Sequence, residues 1–175
     1  MDIDYITIPK ATGCFKALEH LPVRANEASV AVGGHSGGGP SAAILASRFP
    51  QIRGYVGQHA AAIPVVNRLA DRQIVRIKAD VLQLCGTNDI MPFCGCTNAK
   101  NDYYDRYANT TKKMLMKCPD SHTVGTESAT GNHFEGGLIV AFLYRTLLHD
   151  KNAHAALIEG GSRRGYSFED ALGPS

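Results

Sequence analysis

A serine set among glycines, in the run GGHSGGG at residues 33–39, constrains the fold of this chain more than any other feature. The apolar run Val30–Val32 precedes it, and Pro40 follows it directly. A short apolar run bounded by glycine is typical of a buried parallel strand, and the fixed backbone angle of proline suits the first turn of a helix. The pattern predicts a strand that ends in a tight turn at Ser36, with a helix starting just after it.

A turn of this kind gives its serine a special environment. It pushes the hydroxyl of Ser36 toward a base and leaves no room for side chains on the neighbouring residues. This arrangement is a nucleophile elbow, and it predicts nucleophilic chemistry at Ser36. His35 lies inside the turn and is expected to be a packed or hydrogen-bonded residue that points away from the serine.

The same glycines permit one other interpretation, a dinucleotide-binding loop, because residues 37–42 fit the pattern G-x-G-x-x-A. Such a loop presents free backbone N–H groups to a pyrophosphate and needs an acidic residue about 20 positions later. Pro40 removes one of those N–H groups, and residues 57–60 contain no carboxylate. The sequence therefore favours the elbow.

Composition narrows the class of protein. The 175 residues are 44% hydrophobic and 19% charged, with a formal net charge of +2. These values are typical of one globular domain with a real core, and they give no sign of a nucleic-acid partner. No apolar run is long enough to span a bilayer. The start at Met1–Asp4 lacks the order of a signal peptide, so the sequence leaves the localisation open.

The five cysteines are odd in number, so at least one has no partner within the chain. Cys94 and Cys96 are too close for a paired zinc knuckle, and no second pair follows with ligand spacing. The cysteines therefore give only a weak indication of a metal site, and we predict none. A bridge from Cys94 or Cys96 to Cys118 can form if the protein is exported.

Apolar runs and helical stretches alternate along the chain, which predicts an α/β fold with a mostly parallel sheet of about four strands and crossover helices. The predicted strands are 29–33, 54–57, 79–85 and one within 121–127, and the predicted helices are 11–21, 40–48, 100–117 and 134–149. The domain is expected to cover residues 1–150. Residues 151–175 are expected to form a loosely held tail.

Functional residues in open parallel sheets gather at the carboxyl ends of the strands. Asp89 follows the third predicted strand, and His133 lies directly before the last predicted helix. The order Ser36, Asp89, His133 is the one that the elbow architecture uses for nucleophile, acid and base. His122 is a rival base, but it would precede the predicted fourth strand and so fall at the wrong end of the sheet.

Four further residues are weaker candidates. Asp102 and Asp105 rival Asp89, but both fall in a predicted helix, where a carboxylate usually faces solvent. His59 follows the second predicted strand, and it is either part of the lining of a substrate pocket or a hydrogen-bonded loop residue. Met91 is a second candidate for the pocket lining.

Three stretches carry a resemblance to a known family: VGGHSGGG at 32–39, CGTNDIMP at 85–92 and GNHF at 131–134. Over residues 29–149 the chain resembles the carboxyl-terminal part of an α/β-hydrolase of the serine esterase and lipase type, similar to polyester hydrolases and cutinases, dienelactone hydrolases and chlorophyllases. The resemblance implies that Ser36 attacks an ester carbonyl, His133 moves the proton and Asp89 orients the imidazole. It also implies that the N–H of Gly37 donates to the oxyanion, and that no cofactor is needed.

The resemblance starts at the strand before Ser36. The first half of the family's sheet, and the loop that supplies its second oxyanion donor, have no counterpart in the residues before the serine. We therefore expect a fragment of a longer product, a compact form that dimerises through an exposed sheet edge, or a relative without activity. The leading hypothesis is a hydrolase acting on a small-molecule or polymeric ester. The alternatives are a catalytically impaired fragment and a non-catalytic module that binds acyl groups.

Overall fold

Parallel pairing of buried strands organises the chain. The computed structural model describes residues 29–62, 73–109, 111–122 and 134–173. Its five strands, β1 to β5, pair in chain order and span Val30–His35, Ile52–Gln58, Asp80–Gly86, Lys113–Cys118 and Ser167–Asp170. β1 to β4 are parallel, and β5 is antiparallel to β4. The predicted α/β class with a mostly parallel sheet is confirmed, with five strands in place of about four.

Helices cover both faces of the sheet. On one face, α1 (Gly38–Arg48) packs against β1 and β2. On the other, α2 (Phe134–Leu148) packs against β1 to β3 and against α3 (Ala153–Arg163). A short irregular helical segment, Cys96–Arg106, lies between β3 and β4. No helix in the described part of the chain is long and apolar enough to cross a membrane.

The core forms two layers because successive strand residues point to opposite faces. The layer under α1 contains Tyr55, Val81 and Tyr107. The layer under α2 and α3 contains Leu82 and Phe142. The carboxyl ends of the parallel strands β1 to β4 all lie at one end of the sheet. This end is the carboxyl edge, and the functional candidates are expected there.

The fourth strand lies earlier than predicted. The prediction of a helix over 100–117 is wrong, because the helical segment ends at Arg106 and β4 occupies Lys113–Cys118. Methionine and leucine are strong helix formers, but the residues 114–116 are fully buried in a strand with neighbours on both sides. Packing there overrides propensity. Residues 121 and 122 are not in a strand, and the rest of the predicted strand, 123–127, lies outside the described residues.

The segment from 151 to 173 is ordered by packing rather than loosely held. Leu157 on α3, together with Tyr166 and Leu172, is buried in the same core layer as Phe142. β5 pairs with β4, with Phe168 opposite Met116. The expected tail is therefore wrong through residue 173, because these apolar side chains fill the face that β4 offers. The predicted helix over 11–21 lies outside the described residues.

One buried cation ties the carboxyl-terminal segment to the sheet. Arg145 on α2 has a side chain that is 1% exposed, and its Nη1 binds the Asp80 carboxylate at the start of β3. Its Nε and Nη2 donate to the carbonyl oxygens of Leu172 and Gly173 at 2.8–3.2 Å. All three guanidinium nitrogens thus have partners, which is the condition under which a buried charge is tolerated.

The described cysteines pair differently from the prediction. Cys85 at the end of β3 and Cys96 form a disulfide, and Cys94 and Cys118 are buried free thiols. The predicted bridge to Cys118 is wrong because Cys118 packs in the layer under α2, on the opposite side of the sheet from Cys85 and Cys96. The disulfide fixes the loop that carries Asp89 against the end of its own strand.

β1 is an edge strand of the sheet, because among the described residues β2 is its only strand neighbour. A groove of about 310 Å³ runs along this edge toward α2, and it is lined by residues such as Val32, Val56, Ile139 and Leu143. Ser36 directly follows this edge strand. Dimerisation through the edge stays a prediction.

Candidate functional site

The turn after β1 has the backbone of an elbow. Ser36 has a φ of 52°, a left-handed conformation that is uncommon for residues other than glycine. Its N–H donates to the Gln58 carbonyl at 3.0 Å, and its own carbonyl accepts from the N–H groups of Gly39 and Ala61 at 3.0 Å. α1 starts two residues later, at Gly38. The predicted strand, tight turn and helix around Ser36 are confirmed.

Two of the glycines are required by close contacts. A Cβ on Gly34 would lie 2.2 Å from the carbonyl oxygen of Gly38, and a Cβ on Gly39 would lie 2.3 Å from the Cβ of Ala60. In contrast, a Cβ on Gly37 or Gly38 would meet nothing within 4 Å. The expectation that both sides of the serine lack room is therefore wrong for the helical side, where the crowding falls on Gly39.

We expect Gly34→Ala to lower the free energy of unfolding by about 1–3 kcal/mol, because the added methyl group overlaps a backbone carbonyl that cannot move without opening the turn. Gly38→Ala is the matched control. It adds the same group in open space at the start of a helix, where alanine is favourable. Urea denaturation of the two variants measures the difference, and equal stabilities would contradict the close contact.

Acidic and imidazole side chains meet at the carboxyl edge of the sheet. His59 directly follows β2, Asp89 follows β3 and His122 follows β4. The Nδ1 of His122 lies 2.8 Å from Oδ2 of Asp89, and the Nδ1 of His59 lies 3.2 Å from the same oxygen. The other carboxylate oxygen of Asp89 accepts the N–H of Met91 at 2.9 Å. The candidate acid therefore holds two imidazoles at once.

His59 lies between two carboxylates. Its ring is fully buried, and its Nε2 lies 3.1 Å from Oε1 of Glu135 while its Nδ1 faces Asp89. Glu135 also accepts a hydrogen bond from the side-chain amide of Gln58. A ring with a carboxylate at each nitrogen donates from both, which is the protonated form of the side chain. The described contacts of His59 match the hydrogen-bonded alternative of the sequence prediction.

The pKa values of this cluster reflect burial opposed by ion pairing. Burial lowers the pKa of His59, but the hydrogen bonds and charges of Glu135 and Asp89 raise it overall. Burial raises the pKa of Asp89, but the hydrogen bonds from His122, the Met91 N–H and His59 hold it below its ordinary value. Burial likewise raises the pKa of Glu135, and its contacts with His59 and Gln58 lower it overall. Both carboxylates are thus stabilised in their charged forms.

His122 lies at the carboxyl edge of the sheet, contrary to the sequence prediction. The sequence prediction places His122 before a strand that lies somewhere within 121–127. Because β4 ends at Cys118, His122 follows the strand instead and reaches Asp89. His35 donates from Nε2 to the backbone carbonyl of His122 at 2.9 Å, which confirms that His35 is a hydrogen-bonded residue of the elbow. His133 lies outside the described residues, so its role as the base stays a prediction.

Sequence reasoning did not identify Glu135. The residue lies in the first turn of α2, two positions after His133, and its side chain is 1% exposed. The available signal was a single acid at the start of a largely apolar helix, where the helix dipole favours negative charge. That signal predicts a helix start, and it does not reveal the contact with His59.

Cys94 lies beside the candidate nucleophile. Burial raises the pKa of its thiol and the charge of Asp89 raises it further, while a hydrogen bond with the Ser36 side chain acts in the opposite direction. The thiol therefore stays protonated and is a poor nucleophile. Among the described residues, the Ser36 hydroxyl contacts this thiol and makes no hydrogen bond to an imidazole.

The remaining candidates occupy different places. Gly37 is the residue that caps the start of α1, where backbone N–H groups have no partner within a helix. Met91 is 48% exposed on the loop that carries Asp89. The rival acids lie away from the imidazoles, since Asp102 accepts a hydrogen bond from Asn98 and Asp105 pairs with Lys100.

Two kinds of chemistry are open to this edge. Ser36 with an imidazole that Asp89 orients is suited to acyl transfer. In addition, donor atoms of His59, Asp89 and His122 all lie within 4.8 Å of one another, a set that can hold a metal ion. No protein-family model and no curated protein matches the chain. The case for either chemistry therefore rests on these residues.

Proposed function

We propose that the chain is a serine hydrolase that cleaves carboxylic esters through an acyl-enzyme. The observation that carries the proposal is the combination of Ser36 in a left-handed turn between β1 and α1 with Asp89 holding an imidazole by its Nδ1 at the same sheet edge. An imidazole bound at Nδ1 by an acid has its Nε2 available to accept the proton of a serine hydroxyl.

The reaction proceeds in two halves. The Oγ of Ser36 attacks the ester carbonyl carbon while the base takes the hydroxyl proton, and the tetrahedral intermediate expels the alcohol, which receives that proton. Water then attacks the acyl-enzyme with the same base, and the carboxylic acid leaves. The N–H of Gly37, at the positive end of the α1 dipole, is the candidate donor to the oxyanion in both halves.

The base is one of two histidines in the connection between β4 and α2. His122 is favoured by its 2.8 Å contact with Asp89, whereas His133 is predicted by its position before the helix and by the resemblance. Both choices keep Ser36 as nucleophile and Asp89 as acid. We assign the role to His122 and retain His133 as the rival that the experiment must exclude.

An apolar ester is the substrate class that the surroundings favour. The loop after Asp89 exposes Ile90, Met91 and Phe93, with 94%, 48% and 45% of each residue exposed. The next residue is Cys94, which contacts Ser36. Apolar side chains beside a polar reaction centre are typical of sites for apolar ligands, and here they suit the acyl or alcohol portion of the ester.

Labelling with a fluorophosphonate tests both the nucleophile and the base. The serine oxygen displaces fluoride from phosphorus, so the rate depends on removal of the hydroxyl proton. We expect labelling at Ser36, slowed about 100-fold or more by His122→Ala and little changed by His133→Ala, as followed by mass spectrometry of the labelled peptide. His154→Ala is the control, since it removes an imidazole from a separate pair with Asp170.

The other outcomes are equally informative. Slow labelling in His133→Ala with normal labelling in His122→Ala would return the base to the residue predicted from the sequence. Failure of the folded wild-type protein to label at Ser36 would instead favour the non-catalytic acyl-binding module, a function consistent with the absence of a serine–imidazole hydrogen bond among the described residues.

A further inference from the structure

Three donor atoms from three strand ends converge at the carboxyl edge of the sheet. They are Nδ1 of His59, Oδ2 of Asp89 and Nδ1 of His122, and all lie within 4.8 Å of one another. The aspartate oxygen is 3.2 Å from the first nitrogen and 2.8 Å from the second. Two imidazoles and one carboxylate form a mixed nitrogen and oxygen donor set.

Two of the three separations between donor atoms are close to those of a tetrahedral site. Zinc binds histidine nitrogen and carboxylate oxygen at about 2.0–2.2 Å, so two ligands of one tetrahedral ion lie about 3.3 Å apart. The two aspartate–imidazole distances differ from that value by a few tenths of an ångström, which side-chain rotation can supply. Imidazole ligands favour zinc-like transition metals, whereas magnesium and calcium prefer all-oxygen sites.

His59, the first ligand, is already oriented by a second carboxylate, that of Glu135. Glu135 holds Nε2 of His59 at 3.1 Å and is itself held by the amide of Gln58. A histidine that binds a metal through one nitrogen commonly donates the other N–H to a carboxylate, which fixes the tautomer and the ring direction. Here that arrangement directs Nδ1 of His59 toward Asp89 and His122.

His122, the other imidazole ligand, is also held in place. His35 donates to the backbone carbonyl of His122, and the two rings lie 4.7 Å apart. Glu135 adds a second buried negative charge beside the cluster, so a divalent cation would offset charge that burial otherwise makes costly. The side chain of His122 is 11% exposed, which gives the edge an opening toward solvent.

We propose that His59, Asp89 and His122 form a binding site for one Zn²⁺-class ion, with Glu135 as the outer carboxylate and water in the fourth position. The site stands independently of ester hydrolysis. One consequence rests on the proposed function: the ion occupies the acid and its imidazole, so zinc inhibits the hydrolase reversibly.

Titration of the chelator-treated full chain with Zn²⁺ by calorimetry, and with Co²⁺ by visible absorption, tests the site. We expect one ion per chain. Asp89→Asn and His122→Ala should each weaken binding at least about tenfold, and Glu135→Gln about 10–100-fold. Asp89→Asn is isosteric, and circular dichroism checks that each variant is folded. His154→Ala and Ser36→Ala should bind as tightly as the wild type.

Three results would overturn the site. One is no binding by the folded wild-type chain, and another is affinity unchanged in both Asp89→Asn and His122→Ala. The third is a thiolate-to-cobalt charge-transfer band, which would place the ion on cysteines such as Cys94. Ser36→Ala cannot hydrolyse esters by the proposed route. Zinc binding by this variant therefore tests the metal site separately from the hydrolase proposal, so either proposal can fail without the other.

Discussion

Ser36→Ala is expected to lower the turnover of a short-chain aryl ester by at least about 10⁴-fold, because it removes the atom that forms the acyl-enzyme. The loss should appear in kcat, while the binding of a substrate analogue changes little. Release of the aryl alcohol, followed by absorbance, measures the effect. The change of side chain leaves the three backbone hydrogen bonds of residue 36 in place, so the fold should persist.

Ser47→Ala is the matched control for this measurement. Ser47 lies in α1, where its hydroxyl donates to the Ile44 carbonyl at 2.7 Å, and it has no contact with the imidazole cluster. Its replacement should leave turnover within about twofold of the wild type, since the lost bond affects stability alone. Equal turnover in Ser36→Ala and in the wild type would exclude Ser36 as the nucleophile.

Arg145→Met is expected to lower the free energy of unfolding by about 3–5 kcal/mol. Methionine fills similar space but removes the donors to the carbonyls of Leu172 and Gly173. It also leaves the Asp80 carboxylate without its arginine partner. Urea denaturation followed by circular dichroism measures the change. Arg163→Ala serves as the control, because that arginine is 76% exposed in an i,i+4 pair with Glu159, and it should cost no more than about 0.5 kcal/mol.

A double variant separates the charge from the packing of Arg145. With Asp80→Asn added, the partner charge is gone, so part of the lost stability should return. If the single and double variants are equally unstable, the cost lies in the carbonyl contacts with the carboxyl-terminal segment. If Arg145→Met lowers the free energy of unfolding no more than Arg163→Ala does, the buried ion pair does not stabilise this fold.

The predictable part of the fold is the part whose local pattern agrees with its packing. Valine-rich and glycine-bounded runs placed β1, β2 and β3 within a few residues of their observed positions, and Pro40 placed α1. β4 could not be found in this way because its central residues, Met114–Met116, favour helices when isolated. β5 pairs in the antiparallel sense with the free edge of β4. Because β4 was placed wrongly, the sequence could not predict β5 either.

The site was less predictable than the fold, because it depends on strand ends rather than on motifs. Placing β4 at Lys113–Cys118 instead of after residue 120 moves His122 from one edge of the sheet to the other. The contact between Glu135 and His59 joins residues 76 positions apart, and nothing in the local sequence of either predicts the other. Asp89 was predictable because β3 is a clear apolar strand.

The backbone at Ser36 also bears on the folding stability of this chain. A left-handed conformation costs a side-chain-bearing residue about 1–2 kcal/mol relative to a right-handed one, and glycine avoids that cost. Ser36 has a φ of 52° in a segment already rich in glycine, where one further glycine would relieve the turn. Glycine at this position would therefore give a more stable turn. The serine side chain carries a folding cost of that size, as destabilising residues commonly do in proteins that lie below their stability optimum.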